Sequence, residues 1–164
     1  MTNNDILRRI RYALDIKDKD AISLFGLGNV TINEAQFLAL LAKEEDANYH
    51  SCSNEQILGF LDGLILKNRG PRDGDPAPRP EQAEPINNQV FKKLRVALEL
   101  KAEDILDLLA LAGFEVRKPE LTSLFRKPGH KHYQACGDQF LRNFLQGLAL
   151  QRRHGGEQAP TATE

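Results

Sequence analysis

The stretch NNDILRRIRYALDI, Asn3 to Ile16, decides the fold once it is set beside NNQVFKKLRVALEL, Asn87 to Leu100, 84 positions later. In the first, Ile6, Leu7, Ile10, Ala13 and Leu14 fall on one stripe of a 3.6-residue helix, with Arg8, Arg9 and Arg11 outside it. In the second, Val90, Leu94, Ala97 and Leu98 take the corresponding places, while Lys92, Lys93 and Arg95 keep positive charge at the same three positions. The match runs without a gap to Arg69 and Arg153, through identical pairs such as Asn4/Asn88, Leu24/Leu108, Tyr49/Tyr133, Cys52/Cys136, Phe60/Phe144 and Gly63/Gly147. An ungapped register of this length marks a duplicated unit.

Each copy reads as four helices. In copy one the second helix is expected to start at Asp18 and to stop near Gly28 and Asn29. Thr31 with Glu34, and Ser53 with Gln56, stand at capping-box spacing before the third and fourth, and Gly70 follows as a stop. Copy two carries weaker signals: Ala102 stands opposite Asp18, Pro119 lies in the first turn of the third helix, and Gly137 stands opposite Ser53. Alternating apolar and polar runs are absent, so the fold class is all-α, two tandem four-helix repeats. Repeat one spans residues 1–70 and repeat two 87–154. Between them, 71–86 holds five of the chain's eight prolines and reads as an extended linker, and 155–164 reads as a disordered tail. A unit of about 68 residues buries too little surface to stand comfortably alone, so the copies are expected to pack together, within one chain or across a dimer.

Composition narrows the class further. With 41% hydrophobic and 27% charged residues, the chain is that of a soluble globular protein. No window approaches the roughly 18 unbroken apolar residues of a membrane span, so no membrane partner is expected. The opening MTNNDILRRI lacks the apolar core of a signal peptide, which places the protein in the cytoplasm. Two cysteines without an export signal argue against a disulfide framework. The formal net charge of −1 gives no overall attraction to nucleic acid.

The opening NDILRRIRYALDI, the turn LGNV, FLDGLILKNRG, the partner opening NNQVFKKLRVALEL and ACGDQFLRNFLQGLA together resemble the YehS-like bacterial proteins. That is a duplicated domain-of-unknown-function family, and the resemblance covers nearly all of the chain except linker and tail. It implies a small all-helical bacterial protein with no established activity, and so no catalytic residue to carry over.

Both cysteines lie three residues after a tyrosine, in NYHSCSNEQ and HYQACGDQF. If Ser53 caps its helix, Cys52 and Ile57 have the spacing of a hydrophobic staple, and Cys136 and Leu141 repeat it, with Tyr49 and Tyr133 covering the same corner. The alternative is zinc, with His50, His130 and His132 nearby, but structural zinc uses four ligands in paired spacings, and these histidines do not repeat. No acid or base repeats beside the thiols to activate them. A structural role is therefore expected for Cys52, Cys136, Tyr49 and Tyr133, with no metal and no cofactor. Gly63 and Gly147, inside the fourth helices, are expected to permit close helix crossing.

The cations on the first helices are either a solvated face, with pairs such as Asp5–Arg9 and Arg95–Glu99, or a surface for an anionic partner. Charge is unequal between the copies. Residues 3–70 hold 8 Lys+Arg and 10 Asp+Glu, net −2, and residues 87–154 hold 12 and 7, net +5. The contrast is sharpest between KEEDANYH in copy one and KPGHKHYQ in copy two. Either complementary faces pair the copies, or copy two presents Arg117, Lys118, Arg126, Lys127 and Lys131 to an anion. A helix-turn-helix is suggested by DAISLFGLGNVTINEAQFLALL, but Phe37, Leu38, Leu40 and Leu41 imply a buried second helix; RKPELTSLFRK in copy two is the better candidate. With no catalytic motif in the chain, the leading expectation is a non-catalytic interaction or scaffold module that self-associates. The alternative is a nucleic-acid-binding regulator using the basic second repeat and the first helices.

Overall fold

The protein's structure, a computed structural model, describes residues 1–70 and 84–154. The linker expected over 71–86 therefore lies outside the described residues up to 83, and the expected tail lies outside them altogether. Eight α-helices and no strand form among the described residues. Repeat one contains α1 (Asn3–Leu14), α2 (Asp18–Leu27), α3 (Glu34–Leu41) and α4 (Asn54–Arg69). Repeat two contains α5 (Ile86–Leu98), α6 (Ala102–Leu111), α7 (Lys118–Phe125) and α8 (Asp138–His154). No helix among the described residues is long and apolar enough to cross a membrane.

Local chemistry explains most of the boundaries. At α1, the Thr2 hydroxyl accepts from the Asp5 N–H and the Asp5 carboxylate accepts from the Thr2 N–H, at 3.1 and 3.2 Å. Ser53 and Gln56 make the same reciprocal pair at α4, as expected. The third helix differs from the sequence reading. Its capping box is Asn33 with Gln36, both bonds 2.8 Å, two residues beyond Thr31 and Glu34. Ile32 explains the shift: it reaches the core at 9% exposure, and the backbone becomes helical only after delivering that side chain. α2 starts at Asp18, as expected, and the Asp18 carboxylate pairs with Arg11. Repeat two keeps only half of the device: Asp104 accepts from the Lys101 N–H at 2.8 Å and Glu120 from the Arg117 N–H at 3.2 Å.

The repeats pack together within the chain, by exchange. α1 lies mainly against α8, and α5 mainly against α4, while α2 packs on α4 and α6 on α8 inside each repeat. Shifting by 84 positions turns one inter-repeat contact into the other, so the two halves are related in a two-fold manner. Side chains repeat the relation in detail. Arg69 donates to the Val96 carbonyl at 3.2 Å and pairs with Glu99 at 3.7 Å; Arg153 donates to the Tyr12 carbonyl at 2.9 Å and pairs with Asp15 at 3.7 Å. Asp15 and Glu99 are themselves equivalent, left-handed residues (φ 52° and 53°) that end α1 and α5.

The core is continuous across both halves, and the copies exchange bulk within it. Phe25 stands where copy two has Leu109, and Phe91 where copy one has Leu7. Phe25 packs on Phe60 at 5.0 Å between ring centres, and Phe91 packs on Phe144, the equivalent of Phe60, at the same distance. Glycine sets how closely the helices meet. A Cβ on Gly63 would stand 1.8 Å from the Leu24 carbonyl oxygen, and one on Gly147 would stand 1.8 Å from that of Leu108. Copy one has a second such approach, a Cβ on Gly28 falling 1.7 Å from the Gly59 oxygen, whereas copy two has Ala112 and Asn143 there.

Gly63→Ala and Gly147→Ala should each lower stability by about 1–3 kcal/mol, because a backbone carbonyl cannot yield as a side chain can. Gly26, exposed on α2 with open space around it, is the control. Gly26→Ala should be neutral or stabilising by up to about 1 kcal/mol, so denaturant unfolding should separate steric cost from helix propensity.

Candidate functional site

Between α7 and α8 the chain runs from Arg126 to Gly137 without regular structure, and two asparagines at the start of α5 hold that connection in place. Asn88, fully buried, donates to the Leu124 carbonyl (3.4 Å) and the Gln134 carbonyl (3.0 Å), and its oxygen accepts from the Cys136 N–H at 2.7 Å. Asn87 donates to the Cys136 carbonyl at 3.0 Å and to Asp138 at 2.7 Å. Copy one repeats this clasp. Asn4 donates to Leu40 and His50 carbonyls, both 2.9 Å, and accepts from Cys52 N–H at 2.9 Å, while Asn3 donates to Cys52 and Asn54. A search for apolar stripes passes over asparagine. The available signal is the Asn-Asn pair, identical in both copies, that opens each first helix.

The cysteines complete the same corner. Cys52, Ile57, Cys136 and Leu141 are all in the core, and both thiols are free. Burial withholds water from the thiolate and pushes each up to about 12, with the Asp138 charge adding to the effect at Cys136. The tyrosines diverge. Tyr49 donates to Asn4 at 3.2 Å, whereas Tyr133 donates to Glu84, which also holds Lys92 at 2.5 Å. Burial, reinforced by the adjacent Glu84 carboxylate, pushes the Tyr133 hydroxyl up to about 12. His50, His130 and His132 are exposed, and among the described residues no three His, Cys, Asp or Glu side chains gather as metal ligands.

Repeat two is hollowed beside this corner by an open cleft of about 840 Å³. Phe114, Val116, Leu124 and Phe140 supply its apolar surface, with Phe114 and Phe140 edge to face at 6.1 Å. Lys118, Arg126, Lys131 and His132 supply positive or titratable groups, and Glu120 stands in the same wall. Arg117 and Lys127 lie outside the cleft lining. The corresponding copy-one residues are Val30, Ile32, Leu40 and Gln56, then Glu34, Ala42, Ala47 and Asn48. Copy one thus has neither the aromatic pair nor the cations.

The anticipated cations do not form one surface. Arg8 donates to the carbonyls of Leu41 (3.3 Å) and Ala42 (3.0 Å) at the end of α3, and pairs with Asp5, not Arg9, at 2.5 Å. Lys92 does the equivalent at the end of α7, donating to the Arg126 carbonyl at 3.0 Å. Arg11 pairs with Asp18; Lys93 pairs with Asp62 across the repeats at 2.6 Å. Arg95 lies over the Phe125 ring and donates to Leu100, and the expected partner Glu99 is taken by Arg69. Arg117 pairs with Glu120 and Lys118 with Glu103, both inside repeat two. Of these cations, Arg9, Arg95, Arg126, Lys127 and Lys131 have no carboxylate partner among the described residues, and two of these five line the cleft. α3 buries Phe37 and Leu40 but leaves Leu38, expected in a buried face, exposed; α7 buries the equivalent Leu121 and Leu124 and exposes Lys118 and Thr122.

The sequence profile of the family described as "Protein of unknown function (DUF1456)" matches residues 3–70 and again 87–154, the two repeats of the structure. The chain belongs to the DUF1456 family. It is 44% identical over 155 residues to "Uncharacterized protein YehS" of Escherichia coli (strain K12), covering 94% of this chain and 97% of that protein. No solved structure matches it.

In this DUF1456 chain, Asn4→Ala or Asn88→Ala should cost about 3 kcal/mol, since each strands a buried N–H and two carbonyls. Equilibrium unfolding checks it. At pH 8 both thiols should resist alkylation in the folded protein and react fully in denaturant, as read by intact mass.

Proposed function

We propose that the protein is a non-catalytic interaction module, acting in the cytoplasm, whose second repeat holds an acidic protein segment in its cleft. One observation carries the reading. Arg126 and Lys131 face the cleft without a carboxylate partner among the described residues, while Lys92, Lys93, Arg117 and Lys118 of the same repeat each pair with a carboxylate. An apolar floor with an unmatched positive rim suits a partner that brings an apolar anchor flanked by carboxylates: the anchor supplies affinity, and the charges supply orientation and speed of encounter. The apolar stripes expected to drive self-association meet one another inside the chain, which moves the proposal to the cleft. Inert thiols and the lack of a catalytic motif support a binding role over a chemical one.

Nucleic acid is the weaker occupant. The first-helix cations it would use are largely committed to carbonyls and carboxylates of the fold. Affinity capture from native lysate should recover a partner with the natural chain, lose it as salt is raised, and lose it with Arg126→Glu/Lys131→Glu. Undiminished capture by the variant overturns the proposal. Retention on a polynucleotide column at low salt, abolished by the same variant, would transfer the cleft to nucleic acid.

A further inference from the structure

The complement of the cleft is present on the chain itself, at the equivalent corner of repeat one. There Glu34 stands where the cleft has Lys118, and Glu44, Glu45 and Asp46 stand where copy two has Pro128, Gly129 and His130. All four acids are exposed. Among them Leu38 is 44% exposed, one of the few large apolar side chains left in solvent, and its equivalent beside the cleft is Thr122. The corner is firmly built: Lys43 N–H donates to Asp46 at 3.0 Å, and His50 N–H ties the loop to the Ala39 carbonyl at 3.1 Å.

Corner and cleft do not meet within one chain. The side-chain ion pairs that join the repeats are Lys93–Asp62, Arg69–Glu99 and Arg153–Asp15, and none uses either surface. Among the described residues, Glu34, Glu44, Glu45 and Asp46 have no cationic partner, just as Arg126 and Lys131 have no anionic one. These six charges are therefore left unpaired among the described residues.

We infer that the occupant of the cleft is the acidic corner of a second copy of this chain, with Leu38 set toward the Phe114–Phe140 floor and Glu44 to Asp46 toward Arg126 and Lys131. The inference rests on the cleft being a protein-binding site and specifies its partner. The joined surfaces are different, so the contact is head to tail: a joined pair still offers one free corner and one free cleft, and assembly continues until a ring closes.

Sedimentation velocity on the full chain tests it. At low salt the mean mass should rise with concentration above the 18.4 kDa of one copy, and fall back as salt is added. Glu44→Gln/Glu45→Gln, both exposed, and Arg126→Gln/Lys131→Gln, half-buried and exposed, should each weaken association roughly tenfold. Mixing the two variants restores one intact corner facing one intact cleft, so the mixture should form a species of two copies and grow no further. A natural chain that stays at the mass of one copy at every loading overturns the inference. So does association that neither variant weakens, or a mixture that does not pair. The broader reading is scored separately: capture of another protein that depends on Arg126 and Lys131 would leave the cleft as a binding site with a different occupant.

Discussion

The exchange of helices between the repeats is the constraint on which the rest of the structure depends. Each first helix carries an apolar stripe, and the fourth helix of the other repeat covers most of it: α1 on α8, α5 on α4. A four-helix unit of this size has little interior of its own, and lending a helix to the other half produces one continuous core. Everything at the start of α1 and α5 inherits its position from this packing, including the asparagines that clasp the α3–α4 and α7–α8 connections. Arg69 and Arg153 mark how closely the relation is kept, since each ties the same carbonyl and the same left-handed cap residue of the opposite repeat. These are exposed pairs and contribute little energy; their value here is as a sign of symmetry.

Within that frame some positions are kept and others have diverged. Gly63 and Gly147, Asn4 and Asn88, and Cys52 and Cys136 do the same work in both halves. Where side chains leave the frame, at α3 and α7 and in the loops after them, the copies differ in charge and in bulk. Copy one brings Gly28 against Gly59, an approach that Ala112 and Asn143 cannot reproduce in copy two. Copy two instead places Phe114 and Phe140 beside α7, around an open space rimmed by cations.

The cations show why counting charges is not the same as finding a surface. All three first-helix positions keep positive charge in both copies, a regularity that suggests a binding stripe. In the structure that regularity has local causes. Arg8 and Lys92 satisfy the last carbonyls of α3 and α7, where a helix end leaves acceptors unpaired, and a cation there also meets the negative end of the helix. The unequal residues, Arg126 and Lys131 against Ala42 and Ala47, are the ones left facing the cleft.

Periodicity and self-comparison determined the all-helical class, the duplication, the Ser53 cap and the close crossings at Gly63 and Gly147. These follow from relations among neighbours or between copies, and both are visible in one dimension. The tertiary structure alone decided the rest. Asn4 earns no place in an apolar stripe, yet it bonds to residues 40, 50 and 52, and only folding brings those within reach. Thr31 and Glu34 have the right spacing for a cap, but burying Ile32 keeps the backbone extended there and passes the role to Asn33 and Gln36. Sequence placed the contrast between KEEDANYH and KPGHKHYQ; packing showed that, among the described residues, the side-chain ion pairs that join the repeats use neither stretch. A charge's partner is set by what the fold brings within a few ångströms, and no pattern along the chain encodes that distance.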